Sequence, residues 1–210
     1  MPTRGERLRL FERDWLEHLS HVHPVTPLAL WLPLAAWLQW RAVAVHHLEA
    51  RVVVALAVAG LVVWSLTEYA MHRFVFHLAP ASPRRRRLQF IVHGIHHEDP
   101  GDATRLVMPP APAAIAVAVF YTLFRAVLGG EWVDPFFAWF LLGYLAYDYT
   151  HFAIHAWRPR TSLGRYLRRR HMLHHFATPD ARWGVTSPLW DWVFGTTGEE
   201  PGAPRPARSA

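Results

Sequence analysis

Ten of the chain's fifteen histidines fall into four clusters with metal-ligand spacing. His93, His96 and His97 stand at i, i+3 and i+4, and His171, His174 and His175 repeat that spacing. On a helix such positions share one face, a turn apart. The pairs His72/His77 and His151/His155 stand just ahead of the two triplets. Neutral imidazole is the commonest protein metal ligand. Ten imidazoles exceed what one ion takes and suit two ions with about four to six each. An all-nitrogen set fits iron, zinc, copper or nickel and argues against calcium or magnesium. His151 and His155 are i, i+4 and face one way. His72 and His77 are five apart, about 140° on an ideal helix, so they need a helix end, a π-bulge or two different metals. Glu68, one turn before His72, and Asp148, three residues before His151, are expected to accept the outer ring N–H of a ligand and fix its tautomer. Glu98 and Asp99 are candidates for the same role. His18, His21, His23, His46 and His47 lie outside the clusters and are not expected to bind metal.

The rest of the chain supplies elements to carry these clusters. Thr3-Arg4-Gly5-Glu6 reads as a capping box. Leu8, Phe11, Trp15, Leu19 and Val22 then recur every three or four residues opposite Arg9, Arg13, Asp14 and Glu17, which predicts an amphipathic helix on a membrane surface. Uncharged runs follow at Val25–Trp40, interrupted by Pro27 and Pro33, and at Val52–Leu66. A third run spans Ala111–Leu128, with Arg125 near its end placed to snorkel, and a fourth begins at Phe136. Each approaches the roughly 20 residues of a membrane span. The second and fourth continue through His72/His77 and through His151/His155, so their polar ends leave the bilayer. The expected architecture is all-α: a four-helix transmembrane bundle whose helical cap holds a histidine-rich dimetal site. In sequence it divides into an interfacial helix (1–23), an integral membrane domain (24–197) and a disordered, Pro-rich tail (198–210).

Charge orients this bundle. The formal net charge is +6, and every basic residue is Arg. Arg residues gather near the N-terminus, in the middle loop at Arg84–Arg87 and Arg105, and after Trp157 at Arg158, Arg160, Arg165 and Arg168–Arg170. With four spans these regions share one side, which the positive-inside rule makes cytoplasmic. All four histidine clusters fall on that side, although the charge argument does not use them. The Arg runs flank apolar segments without aromatic stacking platforms, which points to anionic lipid head groups rather than nucleic acid. The absence of cysteine excludes disulfides, zinc–thiolate sites and iron–sulfur clusters. No secretory signal is evident. The Arg-, Ala- and Pro-rich composition suggests a bacterial protein, hence an inner-membrane location.

From Thr67 to Thr196 the chain resembles the fatty acid hydroxylase family, within the sterol desaturase and hydroxylase superfamily of membrane di-iron enzymes. Four segments carry the likeness: Thr67-Glu68-Tyr69 through His77; His93 to His97 with Pro100, Asp102 and Arg105 to Pro110; Gly143-Tyr144 through His155; and His171 to Phe176. The tail from Trp183 to Thr196 is similar to the fatty acid 2-hydroxylase branch in particular. The resemblance implies that all ten clustered histidines ligate two iron ions, which zinc can replace in purified protein. It implies O2 as cosubstrate and 2-hydroxylation of a long acyl chain, free or within a sphingolipid. Eukaryotic members often carry a fused b-type cytochrome domain for which this chain has no room, so a separate electron-transfer protein, b-type cytochrome or ferredoxin-like, is expected. The segment from Ala181 to Phe194 is the expected roof, with Trp183, Trp190, Trp192 and Phe194 either lining substrate entry or anchoring the interface. Rival readings are a sterol- or carotenoid-type hydroxylase or desaturase, a histidine-rich membrane metal carrier and a structural zinc domain.

Overall fold

The computed structural model describes residues 8–77 and 81–198. Among the described residues its regular elements are all helical: α1 (Asp14–Leu19), α2 (Thr26–Trp40), α3 (Ala50–Ala70), α4 (Pro83–Gln89), α5 (Ile95–Glu98), α6 (Pro110–Leu128), α7 (Val133–Ala156), α8 (Ser162–Phe176) and α9 (Leu189–Val193). Three stretches are long and apolar enough to cross a membrane: Thr26–Val45, Ala50–Phe76 and Ala103–Leu128. Their outer faces stay apolar, with Ile115, Val119, Val127, Val54 and Val58 all exposed, as lipid demands. Pro33 sits inside α2, as the sequence implies, and Pro27 stands in its first turn, where a missing N–H costs nothing.

The fourth long helix, α7, is the bundle's axis. At 24 residues it is about 36 Å long, but it is not among the stretches apolar enough to cross a membrane. Phe136, Phe137, Phe140, Leu141 and Tyr144 are buried among α2, α3 and α6. The α3–α7 approach is close because Gly60 has no side chain: a Cβ there would stand 2.2 Å from the Phe136 carbonyl oxygen. Small residues at such crossings let helix backbones meet. At the end of α7 far from the histidine clusters, buried Asp134 takes Arg41 (3.3 Å), His46 (3.0 Å) and the Tyr121 hydroxyl (3.2 Å), tying the α2–α3 link and α6 to α7.

The N-terminal segment departs from expectation. Its helix is only Asp14–Leu19, and residues 8–13 are not helical. Glu17 is the physical reason. Its carboxylate turns back to accept the backbone N–H groups of Leu10 (2.8 Å) and Phe11 (2.9 Å), and it pairs with the buried Arg105. Arg105 also reaches the Leu8 carbonyl at 2.6 Å, and Val22 N–H donates to Thr104 at 2.8 Å. Leu10 and Val22 are buried, Val22 beside Leu106, Val107 and Phe152. Tertiary contacts with the 102–107 loop thus override the helical period. The Thr3–Glu6 capping box and nearly all of the 198–210 tail lie outside the described residues.

Candidate metal centre

All ten clustered histidines converge at one end of the bundle, in two groups of five. One comprises His72, His77, His93, His97 and His174, the other His96, His151, His155, His171 and His175. Within each group the ligand atoms lie within 4.8 Å of one another. The pair five residues apart is reconciled by a π-helical turn, Met71–Phe76, in which the His77 N–H reaches the His72 carbonyl at 3.2 Å. Such a turn brings residues five apart nearly into line.

The triplets do not act as single faces. On a helix the i+4 residue lies about 40° to one side of i, and the i+3 residue about 60° to the other. His93 and His97 therefore turn to the first group and His96 to the second. His171 and His175 turn to the second, and His174 to the first. Each group thus takes two residues of one triplet, the middle residue of the other, and one of the pairs. His97 and His175 stack across the boundary, with ring centroids 4.1 Å apart.

The distances between ring nitrogens fit an ion at the middle of each group. A nitrogen about 2.1 Å from a metal sits about 3.0 Å from its neighbour when the bonds are at right angles. In the first group His93–His97 and His77–His174 Nε2 pairs are 3.0 and 3.2 Å apart. In the second, His96–His151, His96–His175, His155–His171 and His171–His175 are 2.9, 3.2, 2.8 and 3.0 Å apart. The Nε2 of His72 is buried with no hydrogen-bond partner, a lone pair left for something else. Outside the spans, burial first and neighbouring imidazoles second drive His93, His96, His171 and His175 far below their ordinary pKa. Burial likewise lowers His77 to about 4 and His97 and His174 to about 3. These rings are neutral near pH 7, the protonation state that ligation requires.

Backbone carbonyls hold the outer nitrogens. His72 Nδ1 donates to Trp183 (2.5 Å), His174 Nδ1 to Ala181 (2.8 Å) and His151 Nδ1 to Leu106 (3.0 Å). A carbonyl only accepts, so each bond fixes the tautomer and frees Nε2 for a metal. Glu68 and Asp148, expected to take these protons, touch no histidine. Glu68 accepts the N–H groups of Val185 and Thr186, both at 2.8 Å, and the Thr186 hydroxyl. Asp148 accepts the Met108 N–H (3.3 Å) and the Tyr144 hydroxyl (3.4 Å). Both carboxylates hold the loops whose carbonyls hold the histidines. Buried loop N–H groups need an acceptor, and a ring whose N–H already meets a carbonyl does not.

A third anchor carries no histidine-like signal in the sequence. Asp191, fully buried, accepts from Trp183 N (2.9 Å), Gly184 N (3.0 Å), the Thr196 hydroxyl (2.8 Å) and buried Arg170 (2.8 Å). It clamps the strap over residues 181–196 that lies across the first group, as the expected roof does. The Trp183 ring packs edge-on against His72, His77 and His174 at 5.6, 4.9 and 5.2 Å. Trp190 bonds Ser65 on α3 (3.0 Å), while Trp192 and Phe194 are exposed. None of His18, His21, His23, His46 and His47 joins either group.

Two cavities lie near the histidines and share three lining residues. An apolar cleft among α3, α6 and α7 is lined by Trp64, Met71, Phe120, Phe140 and Leu141, together with the polar Glu68 and Tyr144. A second is lined by His93, His96 and His151, with Leu10, Ser20 and Arg105 also on its wall. Phe76, Met108 and Tyr147 border both.

Comparison with known proteins places this geometry. The chain is 35% identical over 188 residues to the dihydroceramide fatty acyl 2-hydroxylase FAH1 of Arabidopsis thaliana, covering 90% of this chain and 79% of that one. It is 34% identical to the fatty acid 2-hydroxylase of Rattus norvegicus, over 94% of this chain and 59% of that one. The ceramide very long chain fatty acid hydroxylase SCS7 of Saccharomyces cerevisiae is 38% identical, over 84% of this chain and 48% of that one. The chain therefore spans little more than half the length of several of these relatives. A solved structure described as full-length scs7p, with only the hydroxylase domain visible, superposes with a TM-score of 0.84 at 36% identity, covering 91% of this chain and 72% of that one. A profile of the fatty acid hydroxylase family matches residues 57–196, the stretch that carries all ten histidines, and the chain belongs to that family.

Proposed function

We propose that this protein is an O2-dependent, di-iron membrane hydroxylase that places a hydroxyl on C2 of an acyl chain, carried as a fatty acid or within a sphingolipid. The observation that carries the reading is an apolar cleft that shares Phe76, Met108 and Tyr147 with a second cavity lined by His93, His96 and His151, members of the two five-histidine groups. The relatives' names give 2-hydroxylation as their reaction. In overall balance, R–H, O2, two electrons and two protons give R–OH and water. The electrons come from a separate carrier protein, a b-type cytochrome or a ferredoxin-like protein.

Bound iron supplies reduction of O2 and attack on an unactivated C–H bond. The chain's own residues do the rest. The apolar cleft takes the acyl tail from the bilayer, and the border it shares with the second cavity at Phe76, Met108 and Tyr147, which we read as a narrowing between the two, points the first carbons toward the histidines. The Trp183 ring and the strap beneath it shield the first group from water. The carbonyls of Trp183, Ala181 and Leu106 keep three rings in the tautomer that ligates. The charge asymmetry supports an orientation with termini and metal groups on the cytoplasmic side. Expression in a host lacking 2-hydroxylated lipids, with a competent donor, tests the reading. Mass spectrometry should find acyl chains hydroxylated at C2; hydroxylation confined to ring carbons of sterols or carotenoids would count against it.

A further inference from the structure

Most polar groups around the two cavities are already committed. Glu68 is saturated by Val185 and Thr186, Asp148 by Met108 and Tyr144, and Arg105 by Glu17 and the Leu8 carbonyl. Two donors on the apolar cleft are not: Trp64 Nε1, which is buried, and the Tyr147 hydroxyl, which finds no hydrogen-bond partner among the described residues. A donor left unpaired beside an apolar cleft is free to pair with a ligand that accepts from it. The two donors stand in different places. Trp64 is two turns before His72 on α3 and lines only the apolar cleft. Tyr147, 8% exposed, is one turn before His151 on α7, and its ring lies parallel to the His151 ring, 6.0 Å away. It borders both cavities, and of the three residues at the narrowing it alone has a polar side chain.

We propose that the Tyr147 hydroxyl donates a hydrogen bond to the acyl carbonyl oxygen of the substrate, and that this bond selects C2 by fixing C1 at the narrowing. The inference rests on the acyl-hydroxylase reading and adds to it the residue that measures position along the chain. An acyl tail in a smooth apolar cleft slides at little cost, because successive methylenes are equivalent. One polar pairing at the narrowing breaks that equivalence. The tail then fills the cleft below, and the next carbon lies on the histidine side. Ester, amide and free acid share the carbonyl, so the bond recognises the acyl group whatever carries it.

The test uses the zinc-loaded full chain in detergent, which binds without reacting, with palmitamide as carbonyl probe and hexadecane as its carbonyl-free control. Tyr147→Phe should weaken palmitamide binding about tenfold, the size of one net hydrogen bond. Hexadecane binding and metal content should not change. In the iron-loaded protein the same variant should spread hydroxylation from C2 to neighbouring carbons. Tyr121→Phe, which removes a hydroxyl at the far end of α7 outside both cavities, should leave both palmitamide affinity and position unchanged. Equal palmitamide affinity in Tyr147→Phe and the parent overturns the proposal, as does an equal loss in Tyr121→Phe. A parent protein that binds palmitamide through Tyr147 yet makes no 2-hydroxy product supports this contact and defeats the proposed reaction.

Discussion

Asp191→Asn should weaken metal binding at the first histidine group and spare the second. The carboxylate meets four donors: Oδ1 takes Trp183 N and Thr196 Oγ1, and Oδ2 takes Gly184 N and Arg170. Asparagine has one acceptor oxygen, and its amide turns hydrogens toward the two donors left over. Breaking a buried ion pair from one side costs about 3–5 kcal/mol. The strap can escape most of that by lifting away and letting water reach Arg170. Lifting it withdraws the carbonyls of Trp183 and Ala181 from His72 and His174. Both histidines belong to the first group; in the second, His151 is held by Leu106, which Asp191 does not touch. Losing such outer partners costs about 10–100-fold in metal affinity. Competition of the metal-loaded variant against a chelator should therefore show one ion weakened about 10–100-fold and the other at its parent affinity. Asp148→Ala, which frees Met108 and with it the Leu106 carbonyl, should weaken the opposite ion. Equal weakening of both ions by either variant would refute the strap-to-ring coupling.

Other outcomes follow from the same contacts. Glu68→Gln should remain close to the parent in metal retention, because both N–H bonds fall on one oxygen, whereas Glu68→Ala should lose the first ion; metal analysis after chelator challenge reads the difference. His96→Ala, which removes a nitrogen 2.9 Å from that of His151, should reduce hydroxylation more than 100-fold while membrane insertion, read by fractionation, is unchanged. Gly60→Ala pushes a methyl into the Phe136 carbonyl and should lower stability by about 1–3 kcal/mol, measured by thermal unfolding in detergent. The metal-free protein should lose stability as pH falls from about 6.5 toward 4. Its folded histidines are held neutral by burial while the unfolded ones take up protons, so acid favours the unfolded chain. A melting temperature flat between pH 7.5 and 5 would contradict this.

The ten histidines, the apolar runs and the roof segment are legible in the sequence because their signals are side chains at fixed periods. Their division between two groups is less so. It depends on where an α-helical turn gives way to a π-helical one, as at Met71–Phe76, and on two triplets facing each other from different helices. The roles of Glu68 and Asp148 are misread for a related reason. The groups that fix His72, His151 and His174 are carbonyls of Trp183, Leu106 and Ala181, and every residue type has a carbonyl. Asp191 has a weak signal, a lone acid among Leu189, Trp190 and Trp192, where an ion must be buried or functional. The N-terminal helix fails because its period is honest but its Glu17 has a better partner in Arg105, 88 residues away.

The central claim is tested most directly by isotope labelling of the purified protein. Loaded with two irons, supplied with an electron donor and an acyl lipid and exposed to 18O2, it should yield product with one 18O atom, on C2. Unlabelled product, or none from protein with both irons bound and reducible, would contradict the account.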